Sequence, residues 1–224
     1  MTDFAFLTGG SRGIGRAVRQ RLVAQGLQVV APTRSELDLS DESSVLDYLN
    51  ELPVQFQPKV IVLSAAENRP QTISKLTVEQ WRRTLEVNLS ANFILLQHFC
   101  RQARDQAGCK IVALSSAYSA RSRQGRTAYA ASKAGLVSLI RSVAVEYAEF
   151  GILANCVSPG IVDTDLTRAN NSSAQIDELA QRIPKKRLAT VDEVSRLVSF
   201  LVSDQNTYIT GQDVLIDGGF TSAG

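Results

Sequence analysis

Histidine is almost missing from this chain: His98 is the only one among 224 residues, and it lies in an apolar helical pattern rather than beside a nucleophile or an acid. Hydrolase chemistry built on a Ser-His pair, and a metal site built on imidazole, both lack their material. Cysteine is scarce as well. Cys100, Cys109 and Cys156 are isolated, odd in number and set in apolar helix or strand patterns, which suits reduced core thiols better than a disulfide framework or a metal cluster. Excess charge of either sign is missing too: 24 Lys plus Arg against 22 Asp plus Glu leave a net charge of +2, which does not provide the basic surface a nucleic acid needs. No apolar run approaches the roughly 20 residues that span a bilayer, and the first residues show no basic segment or cleavage site, so no membrane partner and a cytoplasmic setting are expected. No linker, repeat or low-complexity tract interrupts the chain, so one domain over residues 1–224 is expected.

What is present is an alternation of strands and helices. Apolar runs at Phe4–Thr8, Leu27–Ala31, Val60–Ser64, Lys110–Ser115, Leu153–Val157 and Asp213–Ile216 mostly lack polar alternation, as strands covered on both faces do. Helical patterns fall between them at about Ile14–Gln25, Glu42–Leu52, Val78–Arg104, Ala128–Phe150 and Asp192–Val202. This order predicts an α/β fold, a doubly wound parallel sheet in a three-layer sandwich, with ligands beyond the carboxyl ends of the strands. Between Ala31 and Asp38-Leu39 there is no room for a crossover helix and another full strand, so the sheet is expected to be shortened or rearranged there.

After the first strand, Thr8-Gly9-Gly10-Ser11-Arg12-Gly13-Ile14-Gly15 opens directly into a helical pattern. Glycine permits positive φ and close backbone approach, while the free amides and dipole at a helix start favour a diphosphate. A dinucleotide is the natural ligand, with Gly9, Ser11, Gly13, Ile14 and Gly15 around it; an NTPase phosphate loop is excluded because no Gly-Lys-Ser/Thr follows. The acidic residue that would hold the ribose hydroxyls of NAD is replaced by Pro32-Thr33-Arg34-Ser35. Arg12 and Arg34 can clamp a ribose 2′-phosphate, which points to NADP(H), although Glu36 leaves NAD(H) open and both arginines can also be read as solvated surface charges.

Tyr129 and Lys133 stand four apart near a helix start and share one face. An adjacent ammonium together with the positive nicotinamide ring of a bound cofactor is expected to stabilise the phenolate and bring proton exchange toward neutral pH, making an acid/base pair. Ser115-Ser116 ends the preceding strand, where Ser116 can reach the same carbonyl oxygen.

These motifs, with Asn155-Cys156-Val157-Ser158-Pro159-Gly160, Asn88 in Glu86-Val87-Asn88-Leu89, Pro184 with Arg187, and Asp217-Gly218-Gly219, resemble the short-chain dehydrogenase/reductase (SDR) family, most of all its 3-oxoacyl carrier protein reductases, over essentially the whole chain. The resemblance implies a Rossmann-type sheet and a carbonyl/alcohol substrate, with Tyr129 exchanging the proton, Lys133 holding the nicotinamide ribose and tuning the phenol, Ser116 orienting the carbonyl, and Asn88 supporting a water relay to Lys133. It also implies an adenine pocket at Asp38 and Leu39, close cofactor approach at Ala65 and Ala66, and a nicotinamide border at Pro159, Gly160, Val162 and Thr164. Leu63-Ser64-Ala65-Ala66 departs from the family's Asn-Asn-Ala-Gly, a sign of a divergent member.

Between Ile161 and Pro184 the sequence reads as a polar, irregular stretch, including Ala169-Asn170-Asn171-Ser172-Ser173, and is expected to form a mobile lid. Lys185, Lys186 and Arg187 beside it are either an anion-attracting patch or a solvated face. Two helices are apolar nearly all round, through Leu89, Phe93, Ile94, Leu95, Leu96 and Phe99 and through Leu136, Val137, Leu139, Ile140, Val143 and Val145. Patterns 78–104 and 128–150 are therefore expected to join copies into a homodimer or homotetramer. A nucleotide-sugar epimerase or dehydratase, which resembles a longer chain, and a non-catalytic NADP sensor are the alternative readings.

Overall fold

A computed structural model describes residues 3–103, 108–169 and 171–223. Six strands, β1 (Phe4–Thr8), β2 (Gln28–Val30), β3 (Val60–Leu63), β4 (Lys110–Leu114), β5 (Leu153–Pro159) and β6 (Asp213–Ile216), form one sheet in the order β2-β1-β3-β4-β5-β6. Every neighbouring pair is parallel. The helices are α1 (Gly13–Ala24), α2 (Glu42–Glu51), α3 (Val78–Leu85), α4 (Ala91–Ala103), α5 (Thr127–Tyr147), α6 (Asp165–Ala169), α7 (Ser173–Arg182) and α8 (Val191–Leu201).

Successive side chains of a strand point to opposite faces, and both faces here are covered. Phe6 and Ile61 pack with Leu49, Leu95, Phe99 and Ile140 from α2, α4 and α5. Their neighbours Leu7 and Val62 pack on the other side with Val18, Leu22, Val194 and Val198 from α1 and α8. That two-sided burial accounts for the unbroken apolar runs and makes the three-layer sandwich expected from them.

The sheet ends at β2. Thr33 to Glu36 turn, Leu37 and Leu39 are buried, and no strand forms between Val30 and α2. This is the shortening that the spacing before Asp38 foretold.

One expectation is corrected. The stretch after Ile161 is not irregular: it folds into α6 and α7. Ser172 and Gln175 make a reciprocal capping box at the start of α7, and Leu179 and Ile183 bury its apolar side. Asn170 lies outside the described residues. The helical pattern 78–104 is continuous from Val78 to Ala103, with a π-helical turn, Glu86–Ser90, joining α3 to α4. Arg104 is likewise outside the described residues. As for the all-round apolar helices, Leu95, Leu96, Phe99, Leu136, Val137, Ile140 and Val143 are buried within the chain itself, whereas Phe93 and Val145 are 48% and 82% exposed. Among the described residues, no helix is long and apolar enough to cross a membrane.

Candidate active site

A cavity of about 920 Å³ opens at the carboxyl ends of β1, β3, β4 and β5. Every residue singled out for the cofactor or the chemistry lines it except Asn88.

At its phosphate end, Gly9 and Gly13 hold φ of 73° and 52°, in the left-handed region that glycine tolerates. A Cβ on Gly9 would lie 2.8 Å from Ala65 Cα, and one on Gly15 would lie 2.1 Å from the Gly9 carbonyl oxygen. The loop is thus a cradle formed by missing side chains. No side chain caps α1 and no acid stands in its first turn, leaving its amides to a ligand. Thr8 Oγ1 accepts the N–H groups of Ser64 (3.1 Å) and Ala65 (3.2 Å), which fixes the segment that departs from the family pattern. Thr164 sits against Gly13, and its hydroxyl accepts the Thr167 N–H at 3.1 Å in the first turn of α6.

At the adenosine end, Arg12 and Arg34 face the cavity, and an Arg34 Nη2–Asp38 Oδ2 contact spans 3.4 Å. Glu36 turns elsewhere: its carboxylate accepts the Thr33 N–H at 2.7 Å and the Thr33 hydroxyl at 2.8 Å. It is not among the lining residues. Asp38 accepts from the N–H (3.0 Å) and hydroxyl (2.7 Å) of Ser40, and these bonds hold its carboxyl below the usual range.

At the reaction end, β4 delivers Ser115 and Ser116, and the start of α5 delivers Tyr129 and Lys133. The Ser115 hydroxyl donates to the Lys133 carbonyl at 3.2 Å, pinning helix to strand. Lys133 is 1% exposed, and its Nζ donates to the Leu114 carbonyl at 2.6 Å. Burial pulls its pKa down to about 8. Nζ lies 5.8 Å from the centre of the Tyr129 ring.

The phenol of the cofactor-free chain is shifted upward. Burial raises the pKa of Tyr129, opposed first by a side-chain hydrogen bond with Ser116 and then by the charge of Arg126. Lys133 is not what opposes it, since an amine with a pKa of about 8 is already neutral at the pH where this phenol titrates. The chain alone therefore presents Tyr129 as a neutral acid.

Asn88, fully buried on the π-turn, does not reach Lys133 with its side chain. Its Nδ2 donates to the Glu67 carbonyl at 2.9 Å and to Ser132 Oγ at 3.0 Å, and its Oδ1 accepts the Glu67 N–H at 2.8 Å. Lys185 and Arg187 line a separate cavity of about 310 Å³, where Arg187 pairs with Glu193 at 2.6 Å.

Sequence reasoning missed Arg126 and Glu67, both on the wall of the main cavity. Arg126 had a readable signal, because it stands one helical turn before Tyr129 and so shares its face.

A family model described as "Enoyl-(Acyl carrier protein) reductase" matches residues 31–221. The 3-oxoacyl-[acyl-carrier-protein] reductase FabG of Escherichia coli (strain K12) is 32% identical over 234 residues, covering 96% of this chain and 96% of that protein. The structure of 4-hydroxyisoleucine dehydrogenase complexed with NADH shares the fold with a TM-score of 0.94 at 23% identity, covering 100% of both chains. A structure of a putative NAD(P)-dependent gluconate 5-dehydrogenase from Beutenbergia cavernae with bound NADP has a TM-score of 0.88 at 29% identity, covering 98% of this chain and 97% of that one. Together with the cradle at β1 and the Ser116, Tyr129, Lys133 cluster, these likenesses place the chain in the short-chain dehydrogenase/reductase family of oxidoreductases.

Proposed function

We propose that residues 1–224 form one nucleotide-binding domain that interconverts a ketone and a secondary alcohol with NADP(H). The observation that carries this reading is the convergence of Ser116, Tyr129 and Lys133 at one end of a groove whose other end is a glycine cradle flanked by Arg12 and Arg34. A bound NADPH supplies the hydride. Gly9, Ser11, Gly13, Ile14 and Gly15 take its diphosphate against the uncapped start of α1. Asp38 and Leu39 border the adenine, Ala65 and Ala66 allow close approach, and Pro159, Gly160, Val162 and Thr164 border the nicotinamide. Arg12 and Arg34 hold the 2′-phosphate, since Glu36, the acid that could favour NAD(H), is engaged with Thr33.

Ser116 donates its hydroxyl hydrogen to the carbonyl oxygen and orients it. Tyr129, kept protonated by burial, delivers the proton to that oxygen as the alcohol forms. Lys133, anchored on Leu114, holds the nicotinamide ribose. Asn88 supports the wall indirectly, through Glu67 and Ser132. The name of the Escherichia coli relative makes a 3-oxoacyl thioester one candidate substrate.

The exposed Phe93 and Val145 support a homodimer or homotetramer through α4 and α5, which light scattering at micromolar concentration tests. Three unpaired buried thiols fit a cytoplasmic setting.

The test is NADPH oxidation over a panel of ketones, acyl thioesters and sugar-derived carbonyls. Turnover is expected with at least one class. Tyr129→Phe is expected to keep cofactor binding and lose about 10²- to 10⁴-fold in kcat. Near-normal turnover by that variant would overturn the assignment.

A further inference from the structure

We propose that Arg126 selects ketones that bear a carboxylate, its guanidinium taking the carboxylate while Ser116 and Tyr129 take the carbonyl oxygen. The inference rests on the reductase reading above and names the substrate class for that same site.

Placement comes first. Arg126 is the N-cap residue of α5 and Tyr129 follows three residues later, so the two side chains leave neighbouring points of one helix face, with Cβ atoms roughly 5–6 Å apart. Both line the same cavity. A group held by Arg126 therefore lies a short spacer away from a carbonyl held by Tyr129.

The guanidinium is also held in one orientation. Nη1 donates to Asn68 Oδ1 at 2.6 Å, and Cζ stands 5.9 Å from the centre of the Tyr118 ring. What remains is the Nε–Nη2 edge, the side-on fork that matches the two oxygens of a carboxylate. Nε is buried and has no acceptor, and Nη2 has none among the described residues.

Finally, no carboxylate among the described residues forms an ion pair with this cation. Glu67, the nearby acid, pairs through Oε2 with Arg83 at 3.0 Å and Arg69 at 3.3 Å, and its buried Oε1 makes no hydrogen bond to Arg126. The cavity wall beyond the cofactor residues carries Arg69, Arg83, Arg123 and Arg126 against the carboxylates of Glu67 and Asp165. A half-buried guanidinium with an idle edge and no counter-charge is unfavourable in the empty protein. A ligand carboxylate removes that deficit. A neutral thioester or sugar carbonyl does not.

The experiment uses matched probes of the form CH3–CO–(CH2)n–COO⁻, from pyruvate through acetoacetate and levulinate to 5-oxohexanoate, each beside its methyl ester, with acetoacetyl-coenzyme A as the thioester. At one spacer length the wild-type protein is expected to favour acid over ester by about 100-fold in kcat/KM. Arg126→Gln is expected to lose that preference through KM of the acid, bringing the acid-to-ester ratio of kcat/KM to about 1, while any effect of its charge on Tyr129 falls on both probes and cancels in the ratio; Arg126→Lys should recover part of the preference. If Arg126→Gln fails to fold, the wild-type acid-to-ester ratio and the Lys variant still decide. The inference is overturned if the wild-type protein prefers esters or the thioester, or if Arg126→Gln affects acid and ester alike. Calorimetry of 3-hydroxybutyrate and its methyl ester with the NADP⁺-saturated protein separates the two readings. Binding confined to the acid, with no ketone in the panel turned over, would sink the reductase reading and keep Arg126; turnover without discrimination would do the reverse.

Discussion

Asn88 grips Glu67 by both of its backbone polar groups, accepting the N–H at 2.8 Å and donating to the carbonyl at 2.9 Å. The same amide donates to Ser132 on α5, the residue before Lys133. One buried side chain thus ties the loop after β3 to the helix that carries Tyr129 and Lys133, and the π-turn aims it there.

Asn88→Ala leaves the Glu67 N–H and carbonyl without these partners inside the protein. We expect a loss of about 2–4 kcal/mol in urea unfolding together with a lower kcat. Asn88→Asp keeps the acceptor but not the donor, and should fall between the two. An unchanged melting curve for Asn88→Ala would show that the tether carries no weight.

Gly15→Ala places a methyl group 2.1 Å from the Gly9 carbonyl oxygen, a backbone atom that can yield only by moving the loop. The expected result is a stability loss of about 1–3 kcal/mol and a failure of NADPH to raise the melting temperature. Gly26, which has open space around it, is the control: there alanine meets nothing, although its φ of 89° still imposes strain.

Arg12→Ser and Arg34→Ser should each lower kcat/KM for NADPH by about 10-fold or more and leave NADH within about 2-fold. Removing Asp38's partner in Arg34 is a small term, since that pair is 3.4 Å apart and largely exposed. Equal efficiency of the wild-type protein with both cofactors would contradict the assignment of the two arginines.

Lys133 has a folded pKa of about 8 against an ordinary 10.5. Between those values the unfolded chain holds a proton that the folded one has released, so stability rises with pH across that window, and the full penalty is present below pH 8. Lys133→Met has no ammonium to bury. The wild-type protein without cofactor should therefore gain stability relative to Lys133→Met, by an amount on the order of 3 kcal/mol, as pH climbs from 8 to 10.5. A constant difference between the two would show that the amine is solvated.

Much of this was readable from residue patterns because it depends on local chemistry. Phe6 and Leu7 announce a strand buried on both faces, and Gly9 to Gly15 announce a backbone that something must approach. Asp38-Leu39, arriving too soon after Ala31, betrayed the missing outer strand. The helix α7 was missed although Ser172 and Gln175 stand at capping-box spacing, since neighbouring Asn and Ser residues also suit a loop and only packing of Leu179 and Ile183 decides between them. The π-turn at Asn88 and the orientation of Lys133 toward Leu114 depend on contacts across 21 and 19 residues of chain, which no local pattern encodes. For the same reason the spacing of Tyr129 and Lys133 along a helix says nothing about which acceptor the ammonium chooses.

The trimmed margin of the sheet divides the molecule into two zones of different tolerance. The order β2-β1-β3-β4 puts that margin three strand spacings, about 14 Å, from the strand that ends in Ser116. Losing structure at the rim therefore leaves the proton-handling atoms undisturbed. On the proposed reading the nucleotide's far end rests on Arg12 and Arg34 beside Asp38 and Leu39, so cofactor preference can be rewritten there by side-chain exchange without rebuilding the scaffold.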